Sequence, residues 1–150
     1  MTAIESSARK RFSGYAAILA AVLILFPSGI LSAEPQRQVV AYYFHTTIRC
    51  ATCLLIEERS GEVLRETFVA EIADGQLRWQ TVNVQAPKNR DYITKLRVRP
   101  KSLTLIEYYG EVPTEKKELP EVWRLIHGDQ ETFRRYLTEE VRSFLKTSEG

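Results

Sequence analysis

Residues Gln38 to Thr46, QVVAYYFHT, contain no Asp, Glu, Lys or Arg and are rich in β-branched and aromatic side chains. A run that is apolar on both faces reads as a strand buried inside a sheet, of the kind parallel sheets use. Directly after it comes Cys50-Ala51-Thr52-Cys53, followed by Leu54, Leu55, Ile56, Glu57 and Glu58, which read as the start of a helix. A cysteine pair therefore lies at a junction between a buried strand and a helix. That junction constrains the fold more than any overall property of the chain.

The rest of the chain continues the pattern. Ser60-Gly61 is expected to kink or break the helix, and Glu62–Ala73 resumes helical spacing, with Leu64, Phe68 and Ile72 on one face. Asp74-Gly75 ends it, with Gly in the left-handed position. Leu77–Val84 alternates as a second strand. Pro87 opens a short helix to about Leu96. Ser102–Tyr109 and Val112 to about Glu118 form two strands joined by a tight turn at Gly110-Glu111. Glu121–Ile126 reads as a helical turn carrying Trp123. Asp129 suits the N-cap of a last helix to about Lys146, with Phe133, Leu137, Val141, Phe144 and Leu145 as its buried stripe. The order β-α-β-α-β-β-α predicts an α/β protein: a mixed sheet, parallel in its first half and ending in an antiparallel hairpin, with helices on both faces.

Ahead of this domain, Arg9-Lys10-Arg11 precedes the 11-residue apolar run Ala16–Phe26, and Pro27-Ser28-Gly29 breaks it before Leu31-Ser32-Ala33. This is the order of a secretory signal peptide. Residues 1–33 are expected to be a signal peptide or, if uncleaved, an anchor. Residues 34–150 form the domain, exported to the periplasm or another extracytoplasmic space where disulfides persist. The formal charge of +2 arises entirely in the first segment, because residues 34–150 carry 18 basic and 18 acidic side chains. The domain is not a basic module, and no nucleic-acid partner is expected. Membrane contact is expected only if the N-terminal segment is retained. P-loop, dinucleotide-binding and zincin motifs are absent from the sequence, and no cofactor or resident metal is expected.

Cysteine chemistry follows from position. A thiolate at a helix N-terminus meets unpaired backbone N–H groups and the positive end of the helix dipole, which lower its pKa from about 8.5. Arg49 adds a neighbouring positive charge. Cys50, at the exposed start, suits the attacking thiolate, and Cys53, one turn further in, suits the resolving thiol. A structural disulfide is the plainest alternative, although so short a loop restrains little chain entropy. Zinc needs further ligands, and of the two histidines His127 lies more than 70 residues away, near the far helix as read from sequence. A copper relay through Cys50, Cys53 and His45 stays open. Covalent haem attachment requires His after the second Cys, where Leu54 stands.

The arrangement resembles the thioredoxin superfamily, which implies a thioredoxin-like three-layer sandwich over about residues 38–146. Tyr42-Tyr43-Phe44-His45-Thr46, Arg49-Cys50-Ala51-Thr52-Cys53, Ile56-Glu57, Val82-Asn83-Val84, Lys101-Ser102-Leu103 and Val122-Trp123 resemble an exported branch of that superfamily, the ArsF-like proteins. The resemblance implies an exported thiol–disulfide oxidoreductase using Cys50 and Cys53. Its partners would be a protein or small-molecule thiol or disulfide client and a membrane or periplasmic redox partner. A carrier of copper or another thiophile, without redox turnover, is the alternative on the same scaffold. Three positions depart from the family. Arg49 replaces the usual aromatic before the first cysteine. The buried carboxylate position falls near Phe44 or His45, which leaves His45 or Glu57 to deprotonate Cys53. The cis-proline position falls near Ser102, with Pro100 two residues earlier, so Lys101–Ser102 is expected to be trans.

Arg49, Ala51, Thr52, His45, Glu57 and Ser102 are thus the residues expected to line the site. For His45 a satisfied buried side chain competes with a proton relay or metal ligand, and for Glu57 a solvated helix carboxylate competes with a site role. Arg49 is expected to be exposed. Tyr42, Tyr43, Tyr108, Tyr109, Trp79 and Trp123 are expected to be packing residues.

Overall fold

In the computed structural model, which describes residues 36–147, the uncharged run becomes β1 (Arg37–His45). The chain separates into two units, Met1–Ala33 and Glu34–Gly150. The described residues belong to the second, and the expected signal peptide lies outside them. After β1 come α1 (Ala51–Thr67), α2 (Val69–Ala73), β2 (Leu77–Asn83), a 3-10 turn (Pro87–Asn89), α3 (Arg90–Thr94), β3 (Ser102–Tyr109), β4 (Val112–Glu118), α4 (Val122–Leu125) and α5 (Gln130–Thr147).

The sheet order is β2-β1-β3-β4. β1 pairs parallel with β2 and antiparallel with β3, and β3 pairs antiparallel with β4. β1 is internal, and all six residues from Val39 to Phe44 are buried. Strand alternation sends them two ways. Val39, Ala41 and Tyr43 enter a core built with Cys53, Ile56 and Leu64 of α1, Val122 of α4, and Phe133, Leu137, Val141 and Phe144 of α5. Val40, Tyr42 and Phe44 enter a smaller core with Val82, Val98 and Ile106, flanked by Tyr92 and Ile93 of α3. Helices thus cover both sheet faces, and the fold is a thioredoxin-like α/β sandwich, as the element order predicts. In the smaller core, the Tyr42 hydroxyl lies 3.3 Å from that of Tyr108 and 3.5 Å from that of Tyr92. Burial there pushes the Tyr42 phenol pKa up.

The first helix differs from its sequence reading. α1 runs unbroken through Ser60-Gly61 and ends at Phe68 (φ −114°, ψ 43°). Both residues are buried. A Cβ on Gly61 would stand 2.9 Å from the Trp79 indole nitrogen and 2.9 Å from an Arg65 guanidinium nitrogen. Glycine here permits a close helix–sheet approach rather than a break, and that packing offsets its helix penalty of about 1 kcal/mol. At the real break the backbone bonds continue: Phe68 N–H donates to Leu64 O, and Ile72 N–H donates to Phe68 O, both at 3.0 Å. Phe68 and Leu64 therefore stay in the core.

Other termini follow local chemistry. Gly75 (φ 75°) ends α2 in the left-handed region. Asp129 caps α5, its Oδ2 accepting from the Thr132 N–H at 2.8 Å and the Thr132 hydroxyl at 2.9 Å. These bonds hold its carboxyl below the usual carboxylate range. The four residues of the expected stripe from Phe133 to Phe144 are buried, and Leu145 packs at its margin. Two aromatic expectations fail. Tyr109 is 53% exposed at the hairpin end and Trp123 is 37% exposed. Trp123 instead donates its indole N–H to Lys101 O at 3.0 Å.

Candidate functional site

The site forms where β1 hands over to α1. Loop residues 46–49 are tied to the end of β2: the Thr47 N–H donates to Gln85 Oε1 at 2.8 Å, and Asn83 Nδ2 donates to Thr47 Oγ1 at 3.1 Å. Thr46 Oγ1 donates to Ile48 O at 2.7 Å and closes the turn. Ile48, the residue two before Cys50, is left 85% exposed.

Cys50 and Cys53 are joined as a disulfide, with Cα atoms 5.0 Å apart. Cys50 is the N-cap of α1, with extended φ/ψ, and its Sγ accepts the Cys53 N–H at 3.1 Å. Sulfur thus occupies the position where a Ser or Asp oxygen commonly satisfies a free helix N–H. No acidic side chain lies in the first turn to compete with a thiolate. Cys50 is exposed, whereas Cys53 is 1% exposed within the larger core. The pair therefore has one sulfur facing solvent and one facing the protein.

The predicted lining residues take distinct places. Ala51 is exposed and Thr52 half-buried in the first turn of α1. Arg49 does not project free into solvent. Its Nη2 pairs with Glu57 Oε2, and each side chain keeps only about a quarter of its accessible surface. Glu57 is accordingly not a solvated helix carboxylate. On α1 it lies four residues from Cys53 and seven from Cys50, on the helix face both share. Tyr43, from β1, is fully buried, and its hydroxyl has no hydrogen-bond partner among the described residues. Burial pushes its phenol pKa up, and the Arg49 guanidinium pulls it down. Ser60 Oγ, one turn beyond Glu57, is likewise buried without a partner among the described residues.

His45 is half-buried, its Nδ1–H donating to Thr46 O at 3.0 Å. Ser102 pairs with Phe44 at the sheet end nearest the disulfide. Its hydroxyl belongs to the opposite sheet face, donating to Arg99 O at 2.7 Å and lying 3.1 Å from Thr104 Oγ1. Lys101 before it adopts φ 63°, and no peptide bond among the described residues is cis.

One residue arrives that sequence spacing placed elsewhere. His127, in the turn between α4 and α5, brings Nε2 to 3.2 Å from Thr52 Oγ1. Beyond that contact, a pocket of about 170 Å³ lies between Leu55, Arg59, Ile126, Gly128, Gln130 and Phe133. No local signal marks His127, because its approach depends on how α5 packs against α1. Among the described residues, no three His, Cys, Asp or Glu side chains are grouped to hold a metal ion, so the copper set of Cys50, Cys53 and His45 is not assembled.

Comparison with solved structures finds thioredoxins. The chain is similar to thioredoxin O2 from Arabidopsis thaliana in its oxidised state, at 23% identity over 59% of this chain and 69% of that one, with a TM-score of 0.40. It is also similar to thioredoxin f2 from Chlamydomonas reinhardtii, at 17% identity over 57% and 68%, with a TM-score of 0.36. No family model and no curated protein matches. The assignment of this fold rests on the strand order and the two covered sheet faces described above. The chemistry is that of a surface sulfur bonded to a buried one at a helix N-terminus, an arrangement able to interconvert disulfide and dithiol forms.

Proposed function

We propose that this protein is an exported thiol–disulfide oxidoreductase. The observation that carries the reading is the asymmetric pair: Cys50 solvent-facing and capped by a helix N–H, Cys53 enclosed. In the reducing direction the Cys50 thiolate attacks a client disulfide and expels one client thiolate. Cys53 then attacks Cys50 Sγ and expels the second, leaving the Cys50–Cys53 disulfide. Two electrons pass to the client, and a donor dithiol restores the pair. In the oxidising direction the same steps run in reverse. Exposed Ile48 and Leu54, which flank the pair, favour a polypeptide client with apolar residues beside its cysteines.

Export rests on the sequence order of residues 9–33 and places the protein in the periplasm or an equivalent space, with a membrane or soluble redox partner. The sequence likeness to the ArsF-like branch supports that placement and carries no substrate. The test is mixed-disulfide trapping with the full chain. Cys53→Ser is expected to accumulate client adducts through Cys50, Cys50→Ser none, and insulin reduction driven by dithiothreitol should require Cys50. Equal trapping by both variants would reverse the assigned roles, and an inert wild type would remove the activity.

A further inference from the structure

We propose that the pocket between α1 and the start of α5 seats an acidic side chain of the polypeptide client, with the Arg59 guanidinium as its partner and the acidic residue about three positions from the client's reacting cysteine. The proposal rests on the redox reading above and deepens it by naming a chemical feature of the client.

The pocket, about 170 Å³, is walled by Leu55 and Arg59 of α1 and by Ile126, Gly128, Gln130 and Phe133 across from them. Leu55, Ile126 and Phe133 form an apolar bowl, and Arg59 is the charged residue among the six. Arg59 is half-buried and has no ion pair or hydrogen bond among the described residues. The three other half-buried arginines among them, Arg37, Arg49 and Arg134, each pair with a carboxylate. A positive charge withdrawn from water favours a partner, and a guanidinium offers a carboxylate two parallel N–H groups. The chain does not supply that carboxylate. No acidic side chain lines the pocket. Asp129, between Gly128 and Gln130 in the chain, turns its Oδ2 to the N–H and hydroxyl of Thr132. A glutamate or aspartate from outside would lay its methylenes in the bowl and its charge on Arg59.

Position ties the pocket to the sulfurs. Thr52 stands between the two cysteines in the chain, and Thr52, Leu55 and Arg59 share one flank of α1 at i, i+3 and i+7. Leu54 and Glu57 fall on the other flank. The 3.2 Å contact of Thr52 Oγ1 with His127 Nε2 joins the two walls, since His127 lies between Ile126 and Gly128. Along the helix axis Arg59 is about 10 Å from Thr52, at about 1.5 Å per residue. An extended client segment covers that distance in about three residues, at about 3.3 Å each. With its cysteine at Cys50, the third residue along then reaches Arg59. The protein's own C-terminal carboxylate is not the occupant. It lies three residues beyond Thr147, a reach of about 11 Å, whereas Gln130 and Phe133 sit at the other end of a helix about 27 Å long.

The probe is the acetylated, amidated peptide Glu-Ala-Leu-Cys-Leu-Ala-Glu, which offers an acidic residue three positions from its cysteine on either side, with a counterpart carrying Gln for Glu. In the Cys53→Ser chain, the Cys50 thiolate attacks the peptide's symmetrical disulfide. A Cys50–peptide disulfide forms, and one peptide thiol leaves and is measured by chromatography. The Glu peptide is expected to react roughly tenfold faster than the Gln peptide, the size of a hydrogen bond to a charged group. That ratio should fall close to one in Arg59→Gln, and also in Leu55→Glu, which gives Arg59 a partner at i+4. It should persist in Lys88→Gln, which removes an exposed cation outside the pocket. Bis(2-hydroxyethyl) disulfide, neutral and too short to reach Arg59, should react alike with all these chains. Equal rates for the two peptides, or a preference that survives Arg59→Gln, would overturn the proposal. The Glu peptide with Ser for Cys, added at millimolar concentration to the oxidised wild type, separates docking from redox chemistry. It should shift the NMR signals of Ile126 and Phe133, and shift them less in Arg59→Gln. No shift in the wild type would overturn the docking site, whereas a shift in a protein whose Cys50 never reacts would refute the redox reading alone.

Discussion

Reducing the disulfide should lower stability by an amount that depends on pH in a defined direction. Cys50 and Cys53 are separated by three positions and close a loop of only four residues. The chain-entropy estimate for so short a loop is about 2 kcal/mol, against about 3 kcal/mol for a 15-residue loop. With both thiols protonated, the oxidised form should therefore be more stable by about 2 kcal/mol, equivalent to about 40 mV for a two-electron couple. Opposing this is the cap. In the reduced form Cys50 remains positioned to accept the Cys53 N–H, and a thiolate does so more strongly than a thiol. Thiols in such settings fall to about 3.5–7.5 from about 8.5, at least one unit, and each unit stabilises the folded reduced form by up to about 1.4 kcal/mol. A depressed folded pKa contributes stability that is complete above the unfolded value and lost as pH falls through the folded one. The gap between oxidised and reduced forms should thus be widest near pH 5 and shrink by roughly 0.5 kcal/mol or more by pH 8. Denaturant unfolding of both forms at the two pH values, the reduced one held with a phosphine, measures it directly. Cys53 also titrates only in the reduced form, and because it is enclosed its thiol stays neutral where the unfolded one ionises, so the comparison stops at about pH 8, below the ordinary thiol value of about 8.5. A gap equal at both pH values, or wider at alkaline pH, would show that Cys50 receives nothing from the helix N-terminus and would refute the reasoning.

Two substitutions test the packing around that helix. Gly61→Ala gains about 1 kcal/mol of helix preference but forces a methyl group against Trp79, and overpacking costs 1–3 kcal/mol. A net loss of roughly 1 kcal/mol in denaturant unfolding is expected, and a more stable variant would show that glycine is not needed for the approach. Asp129→Ala should lower the melting temperature, while Asp129→Asn, which keeps an acceptor for Thr132, should lower it less. Because the Asp129 carboxyl is held below its usual range, the wild-type advantage over Asp129→Ala should be present above about pH 4 and disappear as pH falls further. An advantage that persists in acid would mean that the charge plays no part.

What was legible in the sequence is what local periodicity and capping encode. β3 and β4 begin and end where the sequence reading places them, and Asp129 caps the last helix. Errors arose where a tertiary neighbour decides. Ser60-Gly61 carries the signature of a break, yet the approach of Trp79 across the sheet turns the same glycine into a packing requirement. Trp123 has core character, but α4 is a single turn that sends Val122 into the core and leaves the Trp123 ring outside, bonded to the Lys101 carbonyl. His127 is distant in sequence from Thr52 and reaches it only because α5 packs on α1. The Arg49–Glu57 pair spans the loop-to-helix junction, so it matches neither the i+3 nor the i+4 spacing by which helical ion pairs are recognised.

That pair also changes how the sulfur chemistry must be explained. Read from sequence, Arg49 is a free positive charge beside Cys50. In the folded protein its charge is balanced by Glu57, so in the oxidised state the pair adds little net field at the sulfur. The first turn of α1 carries no acidic side chain that would offset the helix N-terminus. Stabilisation of a Cys50 thiolate therefore falls to the backbone, through the Cys53 N–H and the helix dipole. Arg49→Gln should accordingly move the Cys50 thiolate titration, followed by absorbance near 240 nm, far less than an unpaired neighbouring cation would. Glu57→Gln alone, which frees the guanidinium, should lower it, and Arg49→Gln in that background should return it close to the wild-type position. A large upward move in the single Arg49→Gln variant would show that the guanidinium acts on sulfur directly and that Glu57 does not neutralise it.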